Sequence, residues 1–183
     1  ADVSEQAPSH KVEKILEQLP KKLTRQVVGS LVGCVQCGMC HDACPTHMDA
    51  PEYICAIWEG DPEEAVRQIY RTNPFAHTCG RVCTHRCETA CSIGKRGEPV
   101  AIRWLKRYAM DAVSPERVKQ ILAKERPKTQ TGRSVAVVGA GPAGLTAAFD
   151  LAKQGHRVVV FEALDKPGGM PRWGIPEYRL PYD

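Results

Sequence analysis

The chain of 183 residues carries 25 Lys and Arg against 21 Asp and Glu, a formal net charge of +4 at pH 7. This excess is small and does not cluster, so the sequence does not indicate a nucleic-acid-binding protein. The chain is 43% hydrophobic and can bury a core, yet no apolar run is long enough to span a membrane. The polar start at residues 1–4 does not have the form of a secretory signal, so we expect a cytoplasmic protein.

The first two thirds of the chain are predicted to be helical. Apolar residues at helical spacing predict a helical lead-in over residues 1–32, without visible chemistry. Asp49 and Asp61 each precede a glutamate by three residues, which is the capping pattern that opens a short helix. Two more helices are predicted after the last cysteine, the second starting at Ser114. We therefore predict an all-helical domain of helices and metal-binding loops over residues 33–125.

The last third of the chain has a different character. A polar segment with proline and glycine predicts a linker at residues 126–133. The β-branched residues beyond it predict two short buried strands, 134–138 and 157–161, with a helix between them. This βαβ unit is the start of a Rossmann-like domain, which we place at residues 134–183. Because two parallel strands and one helix cannot bury a doubly wound sheet, we expect the chain to be part of a longer protein.

Eight of the nine cysteines form two quartets. The first quartet comprises Cys34, Cys37, Cys40 and Cys44. Its spacing is that of bacterial ferredoxins, in which three thiolates bind one [4Fe-4S] cluster and the fourth thiolate, before a proline, binds another. Zinc also takes four thiolates, but its sites usually combine two separated cysteine pairs. The run of four therefore favours an iron–sulfur cluster over zinc.

The second quartet comprises Cys79, Cys83, Cys87 and Cys91. On one uninterrupted helix these thiols would extend over roughly 18 Å, at about 1.5 Å per residue, which is too far for one cluster. Either the chain turns near Gly80 or Thr84, or the four ligands divide between two clusters. Crosswise ligation, in which each quartet completes the cluster of the other, satisfies both motifs.

A glycine-rich turn follows the first predicted strand. It comprises Gly139, Ala140, Gly141, Pro142, Ala143 and Gly144. Its position between a strand and a helix, with the acid Glu162 at the end of the next strand, predicts dinucleotide binding rather than a plain βα turn. Gly139 permits the tight turn, Gly141 lets the backbone approach the pyrophosphate, and Gly144 allows close packing of helix on strand. Glu162 would accept hydrogen bonds from the ribose, which FAD and NAD share.

These motifs together resemble a known family. Residues 33–111, with Cys-Gly-Arg-Val-Cys at 79–83 and Pro-Val-Ala-Ile at 99–102, resemble the N-terminal iron–sulfur domain of glutamate synthase small subunits and of dihydropyrimidine dehydrogenase. The resemblance implies two [4Fe-4S] clusters. The first cluster would be held by Cys34, Cys37, Cys40 and Cys91, and the second by Cys44, Cys83 and Cys87.

The fourth ligand of the second cluster is open. The best-known relatives place Gln or Glu at the position of Lys106, whose ammonium has no lone pair at neutral pH. We expect Cys79 to take its place through a turn at Gly80, with a water or another side chain as the alternative.

The residues around the quartets have plainer interpretations. Cys55 lies among apolar neighbours in a predicted helix, so we interpret it as a buried core thiol. We interpret the nearby histidines as loop residues that hydrogen-bond near sulfur rather than as ligands; they are His41, His47, His77 and His85. Basic residues after the last ligand would compensate the negative charge of the clusters, with a solvated basic helix face as the alternative; they are Lys95, Arg96, Arg103, Lys106 and Arg107.

The segment after the βαβ unit carries the last part of the resemblance. Lys-Pro-Gly-Gly-Met at 166–170 is similar to the FAD site of flavoproteins with two dinucleotide domains, which adds Gly169 to the cofactor-binding residues. Their NAD(P)H site would lie outside this segment. The resemblance implies an NAD(P)H-dependent FAD and iron–sulfur oxidoreductase that exchanges electrons with other redox subunits of a complex. Among the residues of this chain we predict no catalytic acid or base. An electron-transfer subunit without nicotinamide chemistry and an interaction module held by zinc are the alternatives.

Overall fold

The computed structural model describes residues 33–127 and 129–182, so the predicted lead-in at 1–32 lies outside the described residues. The first part of the chain contains α1 (Met39–Ala43), α2 (Ala50–Trp58), α3 (Pro62–Tyr70), α4 (Ala76–Val82), α5 (Arg86–Thr89), a 3₁₀ helix (Ser92–Lys95), α6 (Ile102–Ala112) and α7 (Pro115–Lys124). The second part contains β1 (Ser134–Val138), α8 (Pro142–Lys153), β2 (Arg157–Phe161) and α9 (Met170–Gly174). The predicted order of a helical domain followed by one βαβ unit is confirmed.

Short polar side chains determine where three of these helices begin. The carboxylates of Asp49 and Asp61 accept the backbone N–H groups of Glu52 and Glu64 at 3.3 and 2.9 Å. The hydroxyl of Ser114 caps α7 in the same way. Each helix also has a proline in its first turn, where a backbone N–H would have no helical partner. The predicted starts of α2, α3 and α7 are therefore confirmed.

The hydrophobic core lies between α2, α3 and α6, with α4 and α7 packed on its sides. The largest fully buried side chains are those of Tyr53, Ile57, Val66, Ile69, Leu105, Met110 and Ile121. The hydroxyl of Tyr53 donates a hydrogen bond to the carbonyl oxygen of Ile102 at 3.0 Å, which joins the middle of α2 to the start of α6. On the surface, Arg117 donates to both carboxylate oxygens of Glu63 at 2.7 and 2.8 Å and fixes α7 to α3.

The two strands pair in parallel, from Ser134 opposite Arg157 to Val138 opposite Phe161. Their predicted burial is wrong, because none of their side chains is fully buried and Val138 is 88% exposed. Successive strand residues point to opposite faces, and α8 packs on the sheet so that every second residue is partly covered. Within the described residues nothing covers the other face.

The segment predicted as a linker lies against the βαβ unit. The backbone N–H of Thr131 donates to the carbonyl oxygen of Gly155 at 3.0 Å, and the Thr131 hydroxyl lies 2.7 Å from His156 Nδ1. The helical part touches the same unit, since Lys153 Nζ donates to the carbonyl oxygen of Arg71 at 3.0 Å. None of the helices in the described ranges has the length and apolar character needed to cross a membrane.

Shortening one core side chain tests this packing. Leu105→Ala removes a fully buried side chain from the inner face of α6, and we expect the free energy of unfolding to fall by about 2–5 kcal/mol. Leu164→Ala is the matched control, because Leu164 is 53% exposed, and it should change stability by less than about 0.5 kcal/mol. Equal destabilisation of the two variants in denaturant titrations would contradict the core described above.

Candidate functional site

The helix break inside the second quartet decides how its thiols are distributed. Helix α4 ends at Val82, Cys83 is extended with ψ 144°, and His85 adopts a left-handed conformation with φ 43° before α5 begins. The chain therefore turns around Thr84, one of the two places expected. The expected turn at Gly80 is wrong, because Gly80 lies inside α4, where an added Cβ would be 3.2 Å from the Cα of Arg107. Gly80 serves the close packing of α4 on α6 instead.

Four thiols from both quartets line one small cavity. They are Cys34, Cys37, Cys40 and Cys91. Helix α1 begins between Cys37 and Cys40, while Cys91 directly precedes the 3₁₀ helix. Ile54, Val100 and Ile102 form apolar walls around the four sulfurs. The structure thus brings together the set that the resemblance implies for the first cluster, and we call it the first thiol group.

Each sulfur of the first thiol group has a different environment. Cys40 is buried, and burial raises the pKa of its thiol to about 11. Cys37 is exposed and lies 3.1 Å from the Ser92 hydroxyl, whose hydrogen bond lowers the pKa of the Cys37 thiol. Four sulfur donors between apolar walls match the chemistry of a [4Fe-4S] cluster, which is held by four cysteine thiolates.

A second set of thiols lies where the end of α1 meets α5, and we call Cys44, Cys83 and Cys87 the second thiol group. Cys87 interacts electrostatically with both other members, and burial raises the pKa of its thiol to about 12. Burial also acts on Cys44, but hydrogen bonds from the Thr46 hydroxyl and from backbone N–H groups leave the pKa of Cys44 lowered. The backbone N–H of His85 donates to the sulfur of Cys83 at 3.3 Å.

The two thiol groups are neighbours. Cys40 of the first and Cys44 of the second are joined by one turn of α1, and the fully buried Tyr53 interacts electrostatically with both of them. Cys79 lies on α4 one helical turn before Cys83, whose backbone N–H donates to the carbonyl oxygen of Cys79 at 3.3 Å. Cys79 is therefore close in the chain to the second thiol group.

The thiol groups do not have the geometry of a site for a single metal ion. Across residues 33–127 and 129–182, the structure shows no group of three or more His, Cys, Asp or Glu side chains arranged to hold a metal ion. A four-iron cluster is wider than one ion and accepts its thiolates at different irons.

Two interpretations of the surrounding residues need correction. Cys55 is half-buried rather than in the core, and its sulfur lies 3.7 Å from Glu59, because the core-facing side of α2 is taken by Tyr53, Ile54 and Ile57. The histidines are not all in loops, since His41 lies in α1 and His77 in α4.

The glycine-rich turn has the shape that its sequence predicts. Gly139 has φ 96°, a conformation that favours glycine, and its N–H donates to the carbonyl oxygen of Phe161 at 2.7 Å. Gly141 is extended and precedes α8, with open space where a Cβ would lie. A Cβ on Gly144 would overlap the carbonyl oxygen of Gly139, so only glycine permits this approach of helix to turn.

Glu162 has a structural role that sequence reasoning missed. One of its carboxylate oxygens accepts the Ala140 N–H at 2.7 Å, and the other accepts the Leu164 N–H at 3.0 Å. These backbone hydrogen bonds, that from Leu164 first, lower the pKa of the Glu162 carboxyl. The turn is also held from the side of α9, because the Gly168 N–H donates to the carbonyl oxygen of Ala140 at 2.8 Å. A carboxylate at the end of a strand often accepts the backbone N–H two residues further on, so this sequence pattern could have predicted the Leu164 bond.

Comparison with known proteins identifies the class of this chain. Residues 12–118 match the model of the family described as dihydropyrimidine dehydrogenase domain II, 4Fe-4S cluster, and the chain belongs to that family. Residues 137–182 match an NAD(P)-binding Rossmann-like domain. The resemblance to glutamate synthase small subunits and dihydropyrimidine dehydrogenase is thereby confirmed, as is the fold class of a helical iron–sulfur domain followed by the start of a Rossmann-like domain.

Particular relatives are oxidoreductase subunits. The NADP(+)-dependent formate dehydrogenase subunit beta of Moorella thermoacetica is 42% identical over 162 residues, which is 79% of this chain and 23% of that protein. The glutamate synthase (NADPH) small chain of Mycobacterium tuberculosis is 39% identical over 149 residues, 80% of this chain and 30% of that protein. The NADPH-Fe(3+) oxidoreductase subunit beta of Geobacter sulfurreducens is 43% identical over 144 residues, 78% of this chain and 21% of that protein. The chain spans less than a third of the length of each.

Proposed function

We propose that this chain is the cluster-binding and flavin-binding part of an NAD(P)H-dependent oxidoreductase subunit, with two [4Fe-4S] clusters. The observation that supports it best is that Cys34, Cys37, Cys40 and Cys91 line one apolar cavity, because Cys91 comes from a stretch far from the other three in the sequence. Packing of a hydrophobic core does not require four thiols at one place, whereas a [4Fe-4S] cluster requires four thiolate ligands.

The two thiol groups divide the ligands. The first group would hold the first cluster. The second group, Cys44, Cys83 and Cys87, would hold three positions of the second cluster. We propose Cys79 for the fourth position, since it lies one helical turn before Cys83 and its carbonyl oxygen accepts the Cys83 N–H.

The glycine-rich turn would hold the ADP part of FAD. Gly141 leaves space for a pyrophosphate at the start of α8, where backbone N–H groups favour an anion. Gly139 and Gly144 shape the turn, Pro142 and Ala143 form the first turn of the helix, and Gly169 lies against Gly141. Each oxygen of Glu162 keeps a second lone pair for the ribose hydroxyls.

The residues of this chain then have separate tasks. Flavin, when bound, supplies the exchange between two-electron hydride chemistry and single electrons. The thiol groups would provide the single-electron route, and the apolar walls around the first thiol group would limit the access of water to it. The NAD(P)H site would lie outside this segment. The relatives are named as subunits or chains of larger enzymes, so we propose that electrons pass to or from other redox subunits.

Removing one ligand tests the first cluster. The full-length protein, purified without oxygen, should contain about eight irons and eight acid-labile sulfides per chain. Cys91→Ser removes the donor contributed by the second quartet, and we expect the loss of about four irons. Cys55→Ser is the matched control and should keep all of them, because Cys55 points to Glu59 rather than to a thiol group. Wild-type protein that contains thiol-bound zinc and no sulfide would contradict the proposal.

The fourth ligand of the second cluster needs its own variant. We expect Cys79→Ser to lose irons of the second cluster or to change its EPR spectrum, because serine is a poorer cluster ligand than a thiolate. Iron content and cluster spectra identical to those of the wild type would show that Cys79 is not a ligand.

A glycine variant tests the flavin site. Gly141→Ala meets no protein atom, so the fold should be kept, while the added methyl group takes the space proposed for the pyrophosphate. We expect at least a tenfold lower affinity for FAD, measured by flavin content and by titration with added FAD, and an unchanged melting temperature without FAD. Gly97→Ala is the control, since a Cβ there also meets no atom and Gly97 lies in the helical part. Unchanged FAD binding in Gly141→Ala, or wild-type protein that binds no flavin and keeps its iron, would favour an electron-transfer subunit instead.

A further inference from the structure

Lys106 is a charged residue in an unusual place. It is only 7% exposed, whereas the other four basic residues between positions 92 and 107 are half-buried or exposed; they are Lys95, Arg96, Arg103 and Arg107. Burying an ammonium group costs free energy unless a partner of opposite charge lies near it. The position of Lys106 therefore needs an electrostatic explanation.

The packing of α6 directs this part of the helix toward the second thiol group. The backbone N–H of Arg103, at the start of α6, donates to the carboxylate of Glu88 at 2.8 Å. Glu88 lies on α5 beside Cys87, so this bond fixes the Cys87 helix against α6. Ile102 accepts the hydroxyl of the buried Tyr53 one turn before Lys106.

Thiols are the electrostatic partners of this lysine. Lys106 follows the core residue Leu105 on α6, and Cys44 and Cys87 of the second thiol group pack against the same core. Burial is the first influence on the pKa of both thiols, and the positive charge of Lys106 acts to lower it. Among the residues that the structure describes, no carboxylate lies within ion-pair distance of Lys106. The negative charge that would balance it is therefore that of the second thiol group and whatever the group binds.

We propose that Lys106 raises the reduction potential of the second cluster by holding a positive charge beside Cys44 and Cys87. The inference rests on the proposed function. Reduction adds one electron, delivered by the nicotinamide and flavin of that function, and takes a four-thiolate [4Fe-4S] site from a formal charge of 2− to 3− without making or breaking a bond. An adjacent ammonium stabilises the more negative state more strongly. Lys106 is a positioning charge and not a ligand, because an ammonium offers no lone pair.

Potentiometric titration of the full-length protein, followed by EPR, tests this role. In Lys106→Met the equilibrium constant for adding an electron to the second cluster should fall at least tenfold. For one electron this lowers the reduction potential of that cluster by about 59 mV. The other cluster should shift less. Lys119→Met is the matched control, since Lys119 is exposed on α7, and both of its potentials should equal those of the wild type.

A charge-conserving variant covers the case in which the methionine variant loses iron. Lys106→Arg should keep about eight irons and potentials near those of the wild type. Loss of four irons in Lys106→Met with retention in Lys106→Arg would also support a requirement for the charge. The inference is overturned if Lys106→Met keeps both clusters at wild-type potentials, or if Lys106→Arg loses iron as readily as Lys106→Met. Wild-type protein without iron and sulfide would instead overturn the proposed function.

Discussion

The return of Cys91 to the segment that carries Cys34, Cys37 and Cys40 is the constraint on which the helical part depends. Closing a loop of this length costs conformational entropy, and the intervening helices offset that cost by burying a common core. Tyr53 contributes to this core with a fully buried ring, and its hydroxyl also donates a hydrogen bond that links α2 to the start of α6. The cavity of the first thiol group thus lies on top of the core and shares the walls Ile54 and Ile102 with it.

The helix break around Thr84 allows four equally spaced cysteines to divide between two thiol groups. A continuous helix would align them along one stripe, whereas the extended Cys83 and the left-handed His85 redirect the chain before α5. Cys87 and Cys91 then separate into different thiol groups. Burial raises the pKa of the thiols of Cys40 and Cys87, so each group contains a sulfur that is costly to ionise without a positive partner.

Local features of this protein could be predicted from the sequence. The caps at Asp49 and Asp61, the strand bounds and the glycine-rich turn follow from interactions between residues close together in the chain. Spacing and the length of a helix predicted only that the second quartet must turn or divide, and the two sets of cysteines came from the family resemblance. The predictions that failed concern solvent exposure and the exact place of a turn, as for Cys55 and Gly80. Those depend on which helix face meets the core and on how closely α4 approaches α6, and neither can be predicted from local spacing.

The hydrogen bonds made by Glu162 affect the free energy with which the glycine-rich turn would bind a nucleotide. The carboxylate holds the N–H of Ala140, and the carbonyl oxygen of Ala140 is held by Gly168, so both sides of this peptide segment are fixed. A loop that is already rigid loses little conformational entropy when a ligand arrives. Preorganisation of this kind allows more of the contact energy to appear as affinity. Glu162 would therefore favour nucleotide binding by holding the turn in shape, in addition to any bond with the ribose.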